Sequence, residues 1–80
     1  PLASWAMMPN PASDKVTLVR PYDVSREIIE VVAMEGTIAL RSRFTMGQQA
    51  LILDVSGLPD GVYVVRSSES KEAQRLVITH

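Results

Sequence analysis

Leu53-Asp54-Val55-Ser56-Gly57-Leu58-Pro59-Asp60-Gly61-Val62-Tyr63-Val64-Val65-Arg66 decides how this chain is read. Apolar residues alternate up to Val55 and again from Val62, the period-two signature of half-buried strands. Between them, Ser56 to Gly61 is a cluster of turn formers. A tyrosine soon after such a corner, near the start of a late strand, matches the tyrosine corner of β-sandwiches. There the ring folds over the core and the hydroxyl bonds backbone at the corner. On this reading Leu58 plugs the end of the sandwich, Pro59 and Gly61 shape the corner, and Tyr63 closes it.

Working outward, the same period recurs in short runs bounded by Gly, Pro, Asn, Asp or Ser. Towards the N-terminus lie Gln49 to Val55, with Leu51, Leu53 and Val55 inward against Ile52 and Asp54, and Thr37 to Phe44. Next comes Arg26 to Met34, with Ile29, Val31 and Ala33 on one face and Ile28, Glu30 and Val32 on the other. Glu35-Gly36-Thr37 reads as a tight hairpin, where Gly supplies a positive φ. Lys15 to Arg20 is a further run, ended by Pro21. Trp5 to Met8 is the first, stopped by Pro9-Asn10-Pro11, which removes two ladder donors and fixes two φ angles. On the C-terminal side, Val62 to Ser67 and Gln74 to Thr79 are joined by a polar stretch. A helix over Val24 to Met34 is disfavoured by its β-branched density and lack of a polar stripe. The pattern predicts an all-β fold, an immunoglobulin-like antiparallel β-sandwich of about seven short strands.

Eighty residues allow one domain with a thin core, and the absence of cysteine removes any disulfide or thiolate site. Eight Lys and Arg against nine Asp and Glu give a net charge of −1, which offers no general attraction to nucleic acid. The four aromatics, Trp5, Tyr22, Phe44 and Tyr63, are too dispersed for a base-stacking platform. No apolar run approaches the ~20 residues of a transmembrane helix. The chain starts without Met or a signal-peptide pattern, so it reads as a piece of a longer polypeptide ending at Val77-Ile78-Thr79-His80.

Chemistry finds little foothold. The single histidine is the last residue, His80, where a Ser/His/Asp arrangement is disfavoured and nothing obvious orients the ring. Asp54 with Asp60, or Asp14 with Asp23, has no EF-hand spacing and reads as turn formation. Glu27, Glu30 and Glu35 read as a solvated strand face. Met7, Met8, Met34 and Met46 read as core gap-fillers. The four glycines are too far apart to cradle a phosphate. No catalytic residue, cofactor or metal ligand is expected, and the chain is not expected to be an enzyme.

Taken in order, the blocks resemble the type A C-terminal sorting domains of the type IX (Por) secretion system of Bacteroidota. Met7-Met8-Pro9-Asn10-Pro11-Ala12-Ser13-Asp14 and the strand after it are similar to the family's first block. Ile29 to Gly36 is similar to its apolar strand and hairpin. The Leu53 to Arg66 stretch is similar to its L-D-x-S-x-L-x-x-G-x-Y block, and Gln74-Arg75-Leu76-Val77-Ile78 to its terminal strand. The chain departs from the pattern at Val32 and Ala33, where an aromatic and Asp are usual, at Arg75 for Lys, and at His80.

The resemblance implies a secretion and sorting signal in residues 7–80, with residues 1–6 the end of an upstream linker or a first strand. It implies a larger cargo protein upstream, passage through the periplasm, and export to the cell surface or medium. The implied partners are the outer-membrane translocon and a sortase-like peptidase that joins cargo to an anionic lipopolysaccharide. Recognition is then expected at Pro9, Asn10, Pro11, Asp14, Gly36, Leu58, Gly61, Tyr63, Arg75, Leu76, Val77 and Ile78, with the terminal strand open to strand addition. The alternative is a non-catalytic immunoglobulin- or fibronectin-like accessory module for adhesion or carbohydrate binding. A homodimer through edge strands is a third.

Overall fold

The computed structural model describes residues 6–20, 26–68 and 73–80. Trp5, Pro21, Tyr22, Asp23 and the stretch 69–72 lie outside them. The described residues form seven strands and no helix: β1 (Ala6–Met8), β2 (Lys15–Val19), β3 (Glu27–Ala33), β4 (Ile38–Phe44), β5 (Ala50–Asp54), β6 (Gly61–Ser67) and β7 (Ala73–Ile78). They lie within a residue or so of the runs expected from the period-two pattern.

Two antiparallel sheets result, one ordered β1-β2-β5 and the other β4-β3-β6-β7. Alternation along each strand delivers one face to a shared core. The first sheet contributes Val16, Leu18, Leu51 and Leu53, with Val55 just beyond β5. The second contributes Ile29, Val31, Phe44, Tyr63, Val65, Leu76 and Ile78. The arrangement is a β-sandwich.

The β3–β4 hairpin closes as the sequence suggests. The Gly36 amide donates to the Ala33 carbonyl and the Ala33 amide to the Thr37 carbonyl, both at 2.8 Å. Gly36 sits at φ +100°, a conformation that L side chains resist. Farther in, the register slips between Val31 and Val32, leaving Ala39 as an extra residue on β4.

The methionines are a correction. Only Met7 packs against the core; Met8 is exposed, and Met34 and Met46 are 69% exposed. Met34 and Met46 sit in the β3–β4 and β4–β5 connections, where the chain turns away from the core. Side-chain polarity alone does not reveal that.

Candidate functional site

Strand β7 is an edge strand, with β6 on one side only. Its Leu76 and Ile78 are fully buried, Val77 is half-buried and Arg75 is exposed. The other side of its backbone is not open. The Asn10 side-chain amide donates to the Arg75 carbonyl at 2.9 Å, and its carbonyl accepts from the Val77 amide at 3.0 Å. Two residues on, the Ala12 amide donates to the Val77 carbonyl (2.8 Å) and the Thr79 amide donates to the Ala12 carbonyl (2.9 Å). Ala12 therefore forms a parallel bridge with Ile78.

A carboxamide carries a donor and an acceptor, like a peptide unit, so the Asn10 side chain imitates a residue of a neighbouring strand. The flanking residues explain why a side chain does this. Pro9 and Pro11 have no N–H to give a ladder, which leaves the side chain of Asn10 to match the strand. Both Met8–Pro9 and Asn10–Pro11 are cis. The segment leaves β1 in the first sheet, crosses to the second at Ala12, and returns to the first as β2. It thus straps one side of the sandwich shut, and Ala12 is buried beneath it.

Replacing Asn10 with Ala removes both side-chain bonds to β7. Stability is expected to fall by about 1–2 kcal/mol, and the bared edge should promote self-association. Urea melts, with sedimentation over a range of concentrations, check both effects.

The corner forms as expected. The Tyr63 hydroxyl donates to the Pro59 carbonyl at 2.7 Å, and Leu58 packs on the core. The Asp54 carboxylate caps the turn, accepting from the Ser56 amide (3.0 Å) and hydroxyl (2.6 Å). The Val55 amide donates to the Asp14 carbonyl at 2.8 Å. His80 is a correction, because the structure does orient it. Its backbone amide donates to Asp60 Oδ1 at 3.1 Å, and its Nδ1 lies 2.5 Å from the same oxygen.

The registers Gly61↔Ile78 and Ala33↔Tyr63 place the terminal strand's end, the corner and the Gly36 hairpin at one end of the sandwich. The strap reaches the same end through Ala12. Blocks distant in sequence thus share one end of the molecule and flank β7, the corner on its β6 side and the strap on the other. Of the residues there, Ala12, Asp60 and His80 were not anticipated. Asp14 contributes mainly through its backbone; its carboxylate meets exposed Lys15 at 3.5 Å, a pairing of little energetic weight.

The opposite end holds a second polar cluster, and it corrects the expectation of a solvated glutamate face. Glu27 is buried and paired with buried Arg20 at 3.2 Å. The Ser67 hydroxyl donates to the other Glu27 oxygen. Arg20 also donates to the carbonyls of Gln48 (2.8 Å) and Thr45 (3.0 Å), and its guanidinium lies 4.2 Å from the Phe44 ring centroid. Arg20 follows β2 in one sheet and Glu27 opens β3 in the other, so the pair ties the sheets together. A signal was present: Glu27 is two residues before Ile29 and shares its inward face, and a buried acid requires a partner. Glu30, on the outer face, is half-buried between Arg41 (2.8 Å) and Arg66 (2.8 Å).

Among the described residues, three carboxylates titrate below their ordinary range. Glu30 is lowered by hydrogen bonds from Arg66 and Arg41, Asp54 by those from Ser56, and Asp60 by that from His80. A carboxylate depressed on folding contributes stability above its unfolded pKa, near 4, and that stability is lost as pH falls through the folded value. Urea midpoints are therefore expected to be level at neutral pH and to fall below about pH 4. Glu30→Gln should flatten the decline.

No curated protein matches the chain. With the strap, the hairpin, the corner and the terminal strand gathered at one end, residues 6–79 match the profile of the secretion system C-terminal sorting domain, and the chain belongs to that family, whose members serve as type IX sorting signals.

Proposed function

We propose that this domain directs a larger cargo protein out of the periplasm, across the outer membrane through the type IX translocon, and on to the cell surface or the medium. Residues 7–80 act as the signal, and residues 1–6 are the end of an upstream linker or the start of the first strand. The terminal strand with its strap and corner is the surface the translocon reads, and a sortase-like peptidase then exchanges the domain for an anionic lipopolysaccharide. One observation supports this reading: Asn10 and Ala12 hold the backbone of β7 from more than sixty residues away, so the two ends of the domain come together only once it has folded. The domain is a ligand and a substrate here, not a catalyst.

An accessory module for carbohydrate binding is less well supported. Such modules present exposed aromatic rings, whereas the two aromatics among the described residues, Phe44 and Tyr63, are both buried.

Fusing the whole chain to an inert periplasm-targeted reporter tests the proposal in a host with the type IX system. Surface or medium localisation that vanishes in a translocon-deficient host is the expected result. A folded fusion retained in the periplasm would overturn it. Within this assay, Arg75→Glu changes an exposed side chain while leaving its backbone bond to Asn10 intact. We expect reduced export with an unchanged urea midpoint. Undiminished export would remove Arg75 from the recognised surface.

A further inference from the structure

Among the described residues the sandwich has four edge strands, and they are not alike. β1 is only three residues long. β7 is lined by Asn10 and Ala12. β5 (Ala50–Asp54) carries no cation. β4 (Ile38–Phe44) spans seven residues, and among the described residues no strand pairs with its outer side.

Its chemistry is specific as well as open. Arg41 and Arg43 stand two residues apart, on the same face. Arg41 has a carboxylate opposite it on β3, Glu30, while Arg43 faces Ile28, which is itself exposed. Among the described residues Arg43 has no acidic partner. Beside it runs a shallow groove of about 430 Å³ lined by Ile28, Arg41, Ser42, Arg43 and Thr45.

We propose that the outer edge of β4 is a docking site for an extended acidic segment of a partner polypeptide, which adds to the second sheet as a further strand. Backbone groups on an edge supply the ladder, and alternate side chains supply selection. Residues on an added strand meet Arg41 and Arg43 at the same two-residue spacing, so the segment carries acidic residues at alternate positions. A carboxylate beside Arg43 gains the partner that β3 does not provide, and Ile28 offers apolar contact. The same arginines disfavour a second copy of β4, because cations of the two copies would be brought together. This site is separate from the terminal strand and does not rest on the sorting reading.

The test uses the intact chain, isotopically labelled, titrated with a short peptide of alternating threonine and glutamate. Saturable shifts and slowed hydrogen exchange are expected at amides of Ile38–Phe44. A peptide of alternating threonine and lysine should produce neither. Arg43→Glu, an exposed substitution, should weaken the acidic peptide at least about tenfold, more than the 1.4 kcal/mol equivalent, and admit the basic one. Shifts centred on β7, equal responses to both peptides, or shifts without slowed exchange would each overturn the proposal. So would binding that Arg43→Glu leaves unchanged.

Discussion

Replacing Arg20 with Met is expected to destabilise the domain by about 3–5 kcal/mol, because it leaves Glu27 buried without its cation. The substitution keeps much of the apolar stem while deleting bonds to Glu27, Thr45 and Gln48 and the contact over Phe44. A domain of this length has about 4–12 kcal/mol to lose. The loss therefore takes much of the folded population with it.

A second variant separates the charge effect from packing. Adding Glu27→Leu to Arg20→Met removes both ions, and apolar replacement of a buried pair is often neutral or better. The double variant should recover a substantial part of the stability in equilibrium urea unfolding. If it proves no better than the single variant, the lost bonds to the Thr45 and Gln48 carbonyls, rather than the stranded carboxylate, dominate the cost.

Leu76→Ala is the second large effect. Leu76 is fully buried in β7, opposite Tyr63, with strands or strap on both sides of its backbone. The cost of such a truncation is about 3–5 kcal/mol, the upper part applying where neighbours do not collapse into the cavity. In a domain this small that corresponds to a melting temperature lower by roughly 18–30 °C. Calorimetry of the intact chain measures it directly. Export of a fused cargo should fail along with folding, so this variant reports on the fold. Arg75→Glu, one residue away and exposed, reports on recognition.

Much of this fold was legible beforehand, for a local reason. Leu51, Leu53 and Val55 alternate with exposed Ile52, and that period survives into the structure because each strand buries one face. Gly36 and the Ser56–Gly61 cluster marked turns through backbone conformation, which a residue carries with it wherever it is placed. Tyr63 was readable because its hydrogen bond to Pro59 spans only four residues.

The functional end was only half legible. Pro9-Asn10-Pro11 announced a rigid turn, but nothing near it names Arg75 and Val77 as partners of the Asn10 amide. Likewise His80 met Asp60 only because β7 runs back along β6 to the corner. Glu27 and Glu30 have the same side chain and lie on one strand, yet one is sealed between the sheets and the other rests between two surface arginines.

The sequence by itself thus determined the strands, their turns, which faces turn inward, and the closing of the corner. Each follows from steric and hydrophobic preferences acting over a few residues. Only the tertiary structure decided that the Pro9–Ala12 strap seals the terminal strand, that Arg20 and Glu27 join the sheets, and that, among the described residues, β4 is left as a long unpaired edge bearing cations. Those outcomes depend on which strands become neighbours, and that is settled by packing the whole core at once.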